Sequence, residues 1–586
     1  MKSYSKTKVL RFLKVVVIIS SLFGLLSIVL EYGFRISGKD VLVLHYISLV
    51  VIGVFILYQY VQFFLSDSKL EYLKSHIVES IISVLIVVEL ILSLFNLSLV
   101  EKIGRIFNLK NIAYLYIVFA QIFIVIGIIV GGLRYNRKIL QSKINPSRLF
   151  ILSFFFTIMV GTFLLMLPAA TVKGSISFID ALFTSTSAVC VTGLITVDTA
   201  TYFTKFGQVV IMLLFQIGGL GLMTFTTFFA LFLAGGLGIK ERIVLNDLLN
   251  EENLGAVTKI LSYLLLITFT VEIIGAVILF LSSHKSFAST QDAVFTSLFH
   301  SISAFCNAGF SLFSLNLMDP IVKTNYVYTT TIAMLIIIGG IGFPTIMSIL
   351  NFRKITERHR AINFNLPLQT RIVLMTTLLL IVFGTFITYI LEYDNSLRGM
   401  NFFAQLHAAF FQSVTARTAG FNTINFGSVY VSTAIFYYFL MFVGASPGGT
   451  GGGIKTTTFA ILIKGTYSIL KNQKNVVIKN RSISNEIVIK ALIKTGLSIF
   501  FITLGIFFLT MTEKANLADI SFEAFSAFGT VGLSRGITFS LTGIGKFVIV
   551  MLMFIGRVGP ISFLYTFMRK PEPVYYDLPG ENISIL

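Results

Sequence analysis

Four short stretches of this chain end in the same kind of turn. The first runs from Asp180 to S-A-V-C-V-T-G-L at Leu194, and the second from Asp292 to C-N-A-G-F at Phe310. The third runs from Asn401 to R-T-A-G-F at Phe421, and the fourth from Asp519 to G-T-V-G-L at Leu533. Each opens on Asp or Asn, read here as a helix N-cap that also suits the positive end of the helix dipole. Each closes around a glycine: Gly193, Gly309, Gly420 and Gly532. The chemistry open to such turns is that of backbone carbonyls. Several carbonyls aimed at one axis replace the water shell of a monovalent cation without burying a full counter-charge. Glycine tolerates the backbone angles this requires, and a short helix aiming its C-terminus at the axis adds about half a negative charge. A lone T-G-L is an ordinary loop turn. Four copies, each between two apolar helices, point to one ring built from a single chain.

Two further features could act on such a path. Gly444, Ala445, Ser446, Pro447, Gly448, Gly449, Thr450, Gly451, Gly452 and Gly453 interrupt an apolar stretch. So much glycine with a proline does not stay helical, and at membrane depth it must be buried in protein or line water. A phosphate loop is excluded, because Ile454 separates the glycines from Lys455 and no strand precedes them. Arg557 lies within the apolar run from Phe547 to Met568. A charge at mid-bilayer costs about 2.5–3.5 kcal/mol, so this one should face protein or water. It either holds helices together through carbonyl or ion-pair contacts or sets a positive barrier on a cation path. Glu89 and Glu272 read as structural acids, and His300, His407, Cys190 and Cys306 as packing residues. Arg417 is placed at the outer mouth, beside a short-helix acid. Two cysteines support neither a disulfide framework nor a Cys-rich metal site. No H-E-x-x-H, G-x-S-x-G or nucleotide fingerprint is present, which leaves no enzyme reading.

Positioning these residues requires a membrane. The 586 residues are 55% hydrophobic and only 12% charged, with a mean hydropathy of +0.89. A soluble chain cannot cover that much apolar surface with so few charges. The fold class expected is an all-α integral membrane protein of about 12 spanning helices, each about 20 residues long. Residues 1–148 form an extension of four helices, near 12–30, 41–65, 76–98 and 111–133, after a basic N-terminus read as a signal anchor. Four units of helix, re-entrant segment and helix follow, at 149–234, 235–350, 351–468 and 469–568, with a tail at 569–586. Their second helices are expected near 206–234, 327–350, 430–468 and 545–568, with the third interrupted. The net charge of +19 is not one basic domain. Segments 134–148, 351–371 and 469–490 each carry five Lys or Arg and at most one acid. By the positive-inside rule they lie inside, with both termini, and the four re-entrant segments open outside.

The turn sequences resemble the four pore loops of the Trk/Ktr/HKT superfamily of potassium transporters, over about 149–586. G-A-S-P-G-G-T-G-G-G-I-K-T-T-T at 444–458, G-R-V-G-P at 556–560 and the tail from Lys570 to Leu586 bring it nearest the bacterial Ktr-type membrane subunit. The resemblance implies potassium uptake across the cytoplasmic membrane through a channel-like pore. It assigns ion contacts to the backbone of Val191, Thr192 and Gly193, of Asn307, Ala308 and Gly309, of Thr418, Ala419 and Gly420, and of Thr530, Val531 and Gly532. It makes residues 444–453 an intramembrane gate that meets Arg557. It also implies a homodimer with one pore per chain and a cytosolic ring of nucleotide-binding subunits carried by a separate chain. Segments 351–371 and 469–490, with the C-terminal tail, are the candidate docking face for that ring. No cofactor is expected in this chain, since potassium is the substrate, and sodium dependence stays open. Glycine at all four turns favours potassium, because sodium-preferring plant relatives carry serine at the first. The alternative is a cation-coupled secondary transporter with alternating access, which usually shows inverted halves and intramembrane acids.

Overall fold

A computed structural model describes residues 38–66, 146–221, 256–358, 366–473, 475–478 and 481–567, with isolated positions between 16 and 34 and at 69, 84 and 88. The expected helices at 12–30, 76–98 and 111–133, the loop at 235–259 and the tail at 569–586 lie wholly or largely outside the described residues. Of the N-terminal extension, α1 is Gly38–Leu65.

From residue 146 a pattern recurs. Long helix α2 (Pro146–Leu165), short helix α3 (Phe178–Val189) and helix α4 (Lys205–Leu220) form the first group. The second is α5 (Ala256–Ser283), α6 (Thr290–Phe305) and α7 (Tyr326–Ile341), the last continued by α8 (Phe343–Arg358). The third is α9 (Leu368–Glu392), α10 (Phe402–Thr415) and α11 (Val431–Phe442), continued after a loop by α12 (Thr456–Leu470). The fourth is α13 (Asn485–Thr512), α14 (Leu517–Gly529), α15 (Gly543–Val558) and α16 (Pro560–Tyr565). Within each group the long helix backs the short one. Between groups, α4 packs on α6, α7 on α10 and α11 on α14, and α15 returns to α3. The four groups therefore close into a cycle in chain order.

The long helices are apolar all round, which a helix facing protein on one side and lipid on the other must be. On α9, Thr377, Leu380, Ile381, Gly384 and Thr388 are buried, while Leu378, Leu379, Val382, Phe383, Phe386 and Ile390 are exposed. Among the described residues three helices are long and apolar enough to span a membrane: Ser262–Ser286, Leu368–Glu392 and Asn485–Thr512. A fourth candidate is the pair Tyr326–Ile341 and Phe343–Leu350, bent by 93°.

The second helices depart from expectation in a common way. They were to run unbroken except in the third group, yet α7 and α15 end or bend early, and α4 ends at Gly221, beyond which 222–234 lie outside the described residues. A left-handed glycine follows α4, α7 and α15: Gly221 at φ +77°, Gly342 at +87° and Gly559 at +91°. One such residue ends a helix, and Pro344 and Pro560 just beyond reinforce two of the breaks. A helix of 16 residues, like α4, reaches only about 24 Å at 1.5 Å per residue, short of a bilayer core of about 30 Å. A second departure lies in segment 469–490. There Val476–Ile478 pairs antiparallel with Arg481–Ile483, a hairpin the all-α expectation did not contain.

The N-caps also move. Asp180, Asp292 and Asp519 occupy the first turn of their helices, and the caps are Ser177, Ser289 and Asn516, three residues earlier. Only Asn401 caps as expected, accepting from the Ala404 amide at 2.8 Å. Ser177 and Asp180 form a capping pair: the Ser177 hydroxyl accepts from the Asp180 amide at 3.2 Å and donates to its carboxylate at 2.7 Å.

Candidate functional site

The C-terminal ends of α3, α6, α10 and α14 converge, and the four glycines meet there. A Cβ on Gly193 would lie 2.5 Å from the Ala308 carbonyl oxygen, and one on Gly309 2.7 Å from that of Ala419. At Gly420 it would meet the Val531 oxygen at 2.7 Å, and at Gly532 the Thr192 oxygen at 2.2 Å. Each glycine thus abuts the carbonyl just before the next group's glycine, and the fourth returns to the first. No side chain fits at any of the four positions.

The turns share one backbone program. Val191, Asn307, Thr418 and Thr530 have φ of +56°, +58°, +74° and +52°, and two residues later the glycines have +90°, +72°, +78° and +90°. Left-handed angles at side-chain-bearing residues cost free energy, and Val and Thr are poor candidates for them. Four together mark a conformation imposed by surrounding structure. A hydroxyl in the last turn of each short helix braces it. Ser187 and Ser526 accept from the amides of Gly193 at 3.0 Å and Gly532 at 3.1 Å. Ser303 and Thr415 donate to the carbonyls of Phe310 at 2.8 Å and Phe421 at 2.6 Å.

That register exposes a difference hidden by alignment on the glycines. The Thr192, Ala308 and Val531 amides donate five residues back, to Ser187, Ser303 and Ser526, but Ala419 donates only four back, to Thr415. The third turn is one residue shorter. It lacks the position filled elsewhere by Cys190, Cys306 and Gly529.

The loop 444–453 lies directly against this ring, beside Thr418 and Thr530. Val443 and Ile454 form a parallel bridge, and the Gly444 amide donates to the Ile454 carbonyl at 2.9 Å. Between these limbs, the Gly452 amide donates to the Thr530 hydroxyl at 2.9 Å. The Thr450 hydroxyl donates to the Phe305 carbonyl at 3.2 Å. A Cβ on Gly451 would sit 1.8 Å from the Thr418 hydroxyl oxygen. Sideways, the amides of Ser446 and Thr450 donate to Gly340 at 3.0 Å and Gly339 at 3.2 Å, and Phe343 donates to Gly448 at 3.1 Å. Pro447 and Gly448 thereby fill the bend between α7 and α8.

Arg557 is in the last turn of α15, at the break rather than mid-helix. Its guanidinium donates to the carbonyls of Thr450 in the loop and Gly218 at the end of α4. The contacts are to carbonyls, with no acid partner among the described ion pairs.

Other residues settle into structural places. Arg417 follows the C-terminal end of α10 and is buried, 6% exposed. Its partner is the Thr377 hydroxyl at 3.4 Å, in place of the expected acid. Glu272 is buried and accepts from the Gln216 amide at 3.0 and 3.1 Å. His300 is held by the Thr296 carbonyl and the Ser311 hydroxyl, both at 2.9 Å. What the sequence reading missed are the ties between groups. Asp180 pairs with Lys546 and Asp292 with Lys205, each at 2.6 Å, joining a short helix to the start of the preceding group's second helix. Asp519 pairs with Arg535 at 2.6 Å within its own group. The signal was present: Lys205 and Lys546 both open a second helix.

Fold and site define a helical membrane protein whose short helices close a cycle of glycine turns over an interrupted helix. Comparison with known proteins agrees. The family described as TrkH, cation transport protein, matches residues 116–577. The Ktr system potassium uptake protein B of Bacillus subtilis is 42% identical over 446 residues, 75% of this chain and 97% of that one. The potassium/sodium uptake protein NtpJ of Enterococcus hirae is 36% identical over 463 residues, 77% of this chain and 99% of that one. The crystal structure of the potassium transporter TrkH from Vibrio parahaemolyticus shares the fold. It has a TM-score of 0.60 at 16% identity and covers 82% of this chain and 97% of that one. The chain belongs to the TrkH family of cation transport proteins.

Proposed function

We propose that this chain is the ion-translocating subunit of a potassium uptake system of the cytoplasmic membrane. The carbonyls of Val191–Gly193, Asn307–Gly309, Thr418–Gly420 and Thr530–Gly532 form a selectivity filter. Residues 444–453, held by Arg557, are its gate. The observation that carries the reading is the closed cycle in which every turn glycine abuts the next group's carbonyl. Alternating left-handed residues bring successive carbonyls to one side of a turn, and four turns set them round one axis, where they substitute for water around a cation. The loop stands where an ion leaving the ring would pass, and Arg557 adds a positive charge there. The relatives named for potassium uptake support the choice of ion, and the one named for potassium and sodium keeps sodium coupling within the proposal. The resemblance to Ktr-type membrane subunits extends the proposal to a homodimer on a separate nucleotide-binding ring, and the distribution of Lys and Arg supports both termini on the cytoplasmic side.

The test is uptake of rubidium and of sodium into potassium-loaded liposomes holding the purified chain, wild type beside Gly193→Ser. Wild type should take up rubidium and exclude sodium. The serine Cβ must displace the Ala308 carbonyl, and the preference should fall on the order of tenfold, for about 1.4 kcal/mol of lost discrimination. Equal sodium and rubidium uptake by wild type would refute the filter.

A further inference from the structure

The loop's inner limb ends at Lys455, the residue that caps the N-terminus of α12. A cation is out of place there. The positive end of the helix dipole repels it, and Ser, Thr, Asp or Asn would satisfy the free amides, whereas Lys455 makes no capping bond. Its side chain instead folds back over the loop, and its ammonium donates to the Gly451 carbonyl at 2.7 Å. Arg557 donates to the carbonyl of Thr450, the residue just before. Two consecutive loop carbonyls, placed under Thr418 and Thr530 of the ring, are therefore each taken by a protein cation. Lys494 lies on α13, which packs against α12. No acid pairs with Lys455, Lys494 or Arg557 among the described residues. A local rule broken at this spot, at a cost in repulsion, is the pattern expected where function rather than stability sets the residue.

We propose that Lys455 is a second tethered cation of the gate. With Arg557 it occupies the carbonyls that a cation leaving the ring would meet next, and it holds the loop closed from the α12 end. The proposal rests on reading the ring as a filter and the loop as a gate. Its role is positional and electrostatic, so charge matters at Lys455 more than shape.

Rubidium uptake by the purified chain in liposomes, without any partner, tests it. Lys455→Met should raise basal uptake several-fold while rubidium is still preferred over sodium, because the ring is untouched. Lys455→Arg should bring uptake back toward wild type, and Lys455→Met with Arg557→Ala should exceed either alone. Loosened packing alone would lower the ion preference together with the barrier. If Lys455→Met is not recovered folded, Lys455→Cys in liposomes, modified by a cationic or a neutral thiol reagent, gives the same comparison. Closure by the cationic reagent alone is the expected result. Uptake at or below wild type in Lys455→Met, with Arg557→Ala raised, overturns this role and leaves the gate standing. If Arg557→Ala is also without effect, the gate reading falls and this inference with it.

Discussion

A Cβ at Gly420 would sit 2.7 Å from the Val531 oxygen, whereas one at Gly399 would meet nothing within 4 Å. The two glycines have nearly the same positive φ, +78° and +81°, so they separate the left-handed strain from crowding. At Gly399 alanine costs only the left-handed strain, about 1–2 kcal/mol. At Gly420 it must also push a carbonyl off the axis. Gly420→Ala is expected to lose rubidium selectivity or uptake altogether and Gly399→Ala to keep both, as measured in liposomes at matched protein content. The glycines and Arg557 were legible in the sequence because residue type carries the signal. The left-handed Val191 and Thr418 were not, since nothing in their chemistry asks for that angle and only the assembled ring imposes it.

Among the elements, the loop is held to the ring mainly through hydroxyls. Thr530 accepts from the Gly452 amide at 2.9 Å, and both groups are buried. Thr530→Val keeps the size and removes the acceptor. The orphaned amide costs about 1–3 kcal/mol, and the loop pays it by leaving its seat. Basal rubidium uptake should rise in Thr530→Val, with protection of loop amides from hydrogen exchange reduced; unchanged exchange would show that this bond does not hold the loop. The interruption at 444–453 was visible because ten residues depart from helix composition together. The breaks at Gly221, Gly342 and Gly559 were not, because a single left-handed residue inside an apolar run leaves the hydropathy pattern intact.

Across the whole molecule, closure of the cycle depends on contacts between the first group and the last. Asp180 and Lys546, 366 residues apart, form such a tie, with side chains only 18% and 14% exposed. The matching pair Asp292 and Lys205 is 51% and 67% exposed. Removing one partner of a largely buried pair leaves a stranded charge worth about 3 kcal/mol, while an exposed pair is worth under about 1 kcal/mol. Lys546→Met should therefore lower the thermal midpoint in detergent markedly more than Lys205→Met, and adding Asp180→Asn should recover most of the loss. Equal losses would mean that the closing tie carries no special weight. The order of four groups followed from repetition in the sequence. Their arrangement as one ring followed as well; the Asp180–Lys546 tie that closes it did not, because a lysine at the start of a second helix does not name its partner. The central claim, a carbonyl ring that selects potassium, is tested most directly by ion competition for rubidium uptake in the purified chain. Potassium should compete as well as rubidium itself, with sodium and lithium far weaker, and the gap should narrow in Gly193→Ser. Sodium or lithium competing as well as potassium in the wild type would contradict the account.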